Sequence, residues 1–65
     1  MKVTYDKETN AVYIQFKDEV ISESDEDKNG SIIIDYAADG SVVGIEVLNA
    51  SEKLPLPVQM DYVEV

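Results

Sequence analysis

Ser31-Ile-Ile-Ile-Asp-Tyr-Ala-Ala-Asp-Gly-Ser-Val-Val-Gly-Ile-Glu-Val-Leu48 decides the fold of this chain. Two runs of β-branched residues flank Asp39-Gly40, a dipeptide that favours tight hairpin loops. A two-residue loop there predicts Tyr36 opposite Val43, Ile34 opposite Ile45 and Ile32 opposite Val47. These six share one face, and Ile33 and Asp35 fall opposite Glu46 and Gly44 on the other. A slip of one residue sets Glu46 against Ile32 and spoils the apolar face, so the pattern selects its own register.

Upstream, Val3 and Tyr5 alternate with polar neighbours, and Val12, Ile14 and Phe16 alternate with Ala11, Tyr13 and Gln15. With Asp6-Lys7-Glu8-Thr9-Asn10 as the turn, Tyr5 falls opposite Val12 and Val3 opposite Ile14. Val20 and Ile21 open a third strand that turns acidic through Glu23, Asp25, Glu26 and Asp27. Like charges in a row suit a sheet edge. Downstream, Asn49 is placed to cap a short helix over Ala50–Leu54, with Glu52 closing a capping-box-like arrangement. Pro55 stops it. The reading is therefore a mainly β (small α+β) protein: an antiparallel meander of about five short strands, one short C-terminal helix and an extended tail. Residues 1–54 form the compact β domain. Residues 55–65 are an extended tail, either part of that domain or an association arm, free to pair at a sheet edge.

The chain has 65 residues, close to the lower limit for a core that folds without staples. It has no Cys and no His, so neither disulfides nor thiolate metal sites reinforce it. Fourteen Asp and Glu against five Lys give a net charge of −9. That balance excludes nucleic acid and anionic membranes as direct partners, since both require cationic side chains. It admits a basic protein partner, a cation, or simple solubility. The opening residues carry no apolar signal region, which sets the expected compartment as cytoplasmic.

Val3-Thr4-Tyr5-Asp6, Ala11-Val12-Tyr13-Ile14, Ile34-Asp35-Tyr36, Asp39-Gly40 and Val42 through Ser51 together resemble a small prokaryotic family described as domain of unknown function 2283. The resemblance covers roughly residues 1–54. It implies a compact, mainly β domain and supplies no activity, cofactor or catalytic residue. Similar proteins are often encoded beside small toxin-like proteins, which implies an antitoxin-like role by association.

Three groups of residues are candidates for chemistry or binding. Asp25-Glu26-Asp27-Lys28-Asn29-Gly30-Ser31-Ile32 matches the first eight positions of an EF-hand loop, with oxygen ligands at Asp25, Asp27 and Asn29. The match fails at the twelfth position, where Tyr36 replaces the bidentate Glu. An acidic turn is the favoured reading, with weak calcium binding as the alternative. Asp6 and Glu8 with Glu46 or Asp35 could be cast as an acid–base pair, but Asp6 suits a turn residue bonded to local amides. No nucleophile–base pair, phosphate loop or metal cluster stands out, so neither catalysis nor a cofactor is expected. Tyr13, Ile33 and Val42 form a second apolar group that the helix, the tail or another subunit must cover. With Leu56, Val58, Met60 and Tyr62 they make the expected interaction surface. A homodimer is the expected assembly, and a basic protein is the possible partner. An acidic mimic of nucleic acid is a further alternative.

Overall fold

Alternation of apolar and polar residues yields strands in the first hairpin but not in the tail, where residues 58–62 alternate without forming one. The computed structural model describes residues 1–65 and contains β1 (Lys2–Asp6), β2 (Ala11–Gln15), β3 (Glu23–Glu26), β4 (Ile32–Tyr36), β5 (Val42–Val47) and α1 (Ala50–Lys53). All strand pairs are antiparallel, in one open sheet ordered β1-β2-β5-β4-β3. The chain thus makes a hairpin, β1–β2, and a three-stranded meander, β3–β4–β5, whose last strand docks on β2. This is a Greek-key arrangement. Residues 16–22 make the crossing and are pinned at both ends: the Phe16 amide donates to the Val43 carbonyl, and the Ser22 amide donates to the Tyr36 carbonyl, each at 2.7 Å. Lys17 ties the crossing to the β4–β5 turn through the Ser41 hydroxyl and also pairs with Glu19 at 2.7 Å.

The register predicted for the central hairpin holds through Ile32–Val47, Ile33–Glu46, Ile34–Ile45 and Asp35–Gly44. It fails at the turn. Tyr36 pairs with Val42, and Val43 is the extra residue of a bulge. The Ala37 amide donates to Ser41 and the Gly40 amide donates back to Ala37, so the loop has three residues, Ala38 to Gly40. Gly40 takes φ 87°, the left-handed position that closes a three-residue hairpin. The bulge turns Val43 inward, where it is 2% exposed. The β1–β2 register is as predicted.

One face carries Val3, Ile14, Ile45 and Ile34 in one row and Tyr5, Val12, Val47 and Ile32 in the next. α1 lies on this face, where Val12, Val47 and Ala50 form the core and Ile14, Ile45, Leu54 and Val58 pack around them. Asn49 does not cap α1 as expected. It adopts φ 52° and makes no side-chain bond to the helix. The cap comes instead from Asn10, 41 residues away in the β1–β2 turn: its Oδ1 accepts the Ser51 amide, its Nδ2 donates to Ser51 Oγ, and its carbonyl accepts the Ala50 amide. A local capping box needs the Ncap in extended backbone, and the left-handed turn at Asn49 forbids it.

One further expectation, the start of the third strand, is corrected. Val20 and Ile21 lie outside β3. The tail pairs with no strand; it crosses the covered face, with Leu56 beside Val3 and Tyr5 and with Val58 at the core. Its two prolines withhold the amides a ladder needs.

The two edges of the sheet differ. β3 presents Glu23, Asp25 and Glu26, whereas β1 presents Lys2, Val3, Thr4, Tyr5 and Asp6.

Candidate functional site

The face away from the helix is where side chains converge on a buried acid. Its central row runs Lys2, Gln15, Gly44, Asp35, Ser24 across the five strands, and the next runs Thr4, Tyr13, Glu46, Ile33, Glu26. Gly44 has no side chain to fill its place, and Tyr13 leans across it. A Cβ at Gly44 would strike the Tyr13 hydroxyl and ring. From there the Tyr13 hydroxyl donates to Asp35 Oδ2 at 3.2 Å, and Ser24 Oγ donates to Asp35 Oδ1 at 2.5 Å. Asp35 is 8% exposed, with both carboxyl oxygens engaged by hydroxyl donors, as burial demands.

This geometry holds a proton on Tyr13 rather than releasing it. Burial raises its pKa above the usual tyrosine value, and the bond to Asp35 and the charges of Asp35 and Glu46 push it further up. A tyrosine so placed neither attacks nor abstracts at neutral pH. The raised value has a sign in stability. The folded pKa exceeds the unfolded one, so the contribution is complete below about pH 10 and is lost as pH climbs through the folded value. Urea unfolding from pH 9 to 11.5 should therefore show a steeper alkaline loss in the native chain than in Tyr13→Phe. Parallel curves would contradict the raised pKa.

Asp6, one of the carboxyl groups considered for acid–base work, is engaged in its own turn. Asp6 Oδ1 accepts the Glu8 and Thr9 amides at 2.9 and 3.4 Å, the turn role expected of it. Asp6, Glu8 and Glu46 line one wide, open depression with Tyr13, and Asp35 is not among its walls. The calcium candidates divide between a strand and a turn. Asp25 stands in β3 opposite Ile34, and Asp27 spends Oδ1 on the Ser31 and Ile32 amides at 2.7 and 3.1 Å. Asn29 belongs to the β3–β4 turn. Nowhere do three or more Asp or Glu residues stand together as a metal site.

The seven residues expected to form an interaction surface are divided between the faces. Tyr13 and Ile33 lie on the open face, separated by Glu46. Val42 pairs with Tyr36 next to the turn. Leu56 and Val58 belong to the tail and lie on the opposite face. Met60 is 45% exposed and Tyr62 83%. Helix and tail therefore cover the Val12 face and leave the Tyr13 group uncovered. Sequence reasoning overlooked Asn10 and Ser24. Asn10 carried one signal, an asparagine at the end of a four-residue turn, where left-handed backbone is common; its φ is 54°.

Fold and site together define a one-layered antiparallel β domain strapped by a single helical turn, with a hydroxyl-clasped acid on its bare face. No helix is long and apolar enough to cross a membrane. The profile of the family described as protein of unknown function (DUF2283) matches residues 2–51, and the chain belongs to that family. No curated protein and no solved structure matches it.

Proposed function

We propose that this chain is a non-catalytic protein-interaction module that associates with a second copy of itself and offers its acidic exterior to a basic protein. One observation carries the reading: the fold leaves too much surface in water for its mass. The accessible surface is 5100 Å², whereas a folded monomer of this mass exposes about 4100 Å². The excess is of the order of what one partner buries in a standard interface, about 800 Å². Only eight of 65 residues are buried, and Phe16, Ile21, Ile32 and Met60 are each more than 40% exposed. The flat shape agrees. The radius of gyration is 12.3 Å, against about 10.7 Å for a compact chain of this length.

A net charge of −9 suits a basic partner, whose association would be steered electrostatically and slowed by salt. An antitoxin-like role is one form of this reading, and a cytoplasmic setting goes with it. Sedimentation equilibrium of the intact chain tests the self-association: a dimer is expected at high micromolar concentration, and a monomer throughout would overturn it.

A further inference from the structure

The geometry points to β1 as the dimer interface: we infer that two copies join edge to edge, β1 against β1, into a continuous ten-stranded antiparallel sheet. The inference rests on the association reading above and assigns its surface.

β1 has pairing partners on one side only. Its five residues are all exposed, its ladder bonds go to β2, and none of the other backbone hydrogen bonds in the chain involves residues 2–6. Along its outer side, alternate amides and carbonyls are therefore left to solvent, the template on which another strand adds. The tail, the one nearby segment, lies over Val3 and Tyr5 and not alongside the edge.

The residue order of β1 identifies the occupant. Lys2-Val3-Thr4-Tyr5-Asp6 is complementary to itself when reversed. A two-fold axis through Thr4 sets Lys2 opposite Asp6 of the second copy, Val3 opposite Tyr5, and Thr4 opposite Thr4. The three kinds of pair are opposite charges, a β-branched residue with an aromatic, and two threonines, each a favourable cross-strand combination. A strand paired about one of its own residues also matches outward backbone groups to outward backbone groups, whichever alternate set faces out. Such an axis stands normal to the sheet and keeps like faces together. Val3, Tyr5 and Leu56, at 37%, 40% and 36% exposure, then meet their counterparts in one apolar seam. Asp6 is free to pair, because the turn amides use only its Oδ1.

The other edge excludes the same arrangement. β3 paired with itself about Ser24 sets Glu23 against Asp25 twice, and paired about Asp25 it sets Asp25 against Asp25. Within an acidic chain, β1 is the edge whose own charges cancel, Lys2 against Asp6.

The test compares the intact chain with Thr4→Lys, which brings two ammonium groups together at the axis, and Lys2→Glu, which turns both ion pairs into like charges. Glu26→Lys on β3 serves as the control, and thermal melts confirm that each variant folds. Sedimentation equilibrium should show dimerisation weakened about tenfold by Lys2→Glu, from two symmetry-related pairs, and severalfold by Thr4→Lys, from the single pair on the axis, and not weakened by the control. The Lys2→Glu defect should shrink in 1 M salt, where screening acts within about 3 Å. Amide exchange in β1 should slow as the intact chain is concentrated. A dimer indifferent to both β1 variants overturns this interface and leaves the association reading standing. A monomer at every concentration overturns both.

Discussion

Replacing Gly44 by Ala is expected to destabilise the domain by about 1–3 kcal/mol, the range for forcing atoms into filled space. Tyr13 can swing aside, but the new methyl would also sit 2.8 Å from the Ile14 carbonyl oxygen, which belongs to the adjacent strand and cannot. A chain of this length has about 3–10 kcal/mol to lose, so the shift in urea midpoint should be large. A double-mutant cycle apportions it. In a Tyr13→Ala background the cost of Gly44→Ala should fall without vanishing, since the carbonyl contact remains. Full additivity would show that Tyr13 does not use the space over Gly44.

Asn10→Ala should cost about 2.5–5.5 kcal/mol, from two sources. The side chain joins three partners: it accepts from the Tyr5 hydroxyl at 3.0 Å and the Ser51 amide at 3.1 Å, and donates to Ser51 Oγ at 2.9 Å. Exposed bonds of this kind are worth about 0.5–1.5 kcal/mol each. The left-handed backbone adds about 1 kcal/mol when a residue with a plain Cβ must adopt it. Asn10→Gly separates the two, because glycine adopts that backbone freely but offers no amide. Urea midpoints should run native, then Asn10→Gly, then Asn10→Ala. If the two variants unfold together, the backbone term is absent.

Those two residues also mark where the sequence stopped being informative. Strand register was readable because every apolar residue of the central hairpin had one sensible opposite, and Glu46 and Gly44 penalised any slip. The turn was misread because Asp-Gly serves two loops equally well. In one it fills both loop positions. Here Asp39 sits before a left-handed Gly40 in a longer loop, with its Oδ1 accepting the Ser41 amide at 2.9 Å. The Asn10 cap was invisible because its partners lie 41 residues along the chain, beyond any local pattern. Tyr13, Gly44 and Asp35 were each noticed singly. What joins them is a diagonal lean across neighbouring strands, and periodicity records only which face a side chain leaves from. The placement of β5 beside β2 is likewise a matter of tertiary burial: the apolar strands β2, β5 and β4 take the inner positions, and the acidic β3 takes one rim.

The unlike edges of the sheet set a limit on size. A strand edge that accepts another at both ends of a sheet propagates without limit, and that is how ribbons and fibrils grow. Here β3 carries Glu23 and Asp25 on the face where β1 carries Val3 and Tyr5, so a β1 edge meeting a β3 edge buries carboxylates against apolar side chains. Addition on the β1 side leaves two acidic rims facing outward. With β1 paired as proposed, growth would end there, because the carboxylates of β3 offer no apolar edge to a further strand.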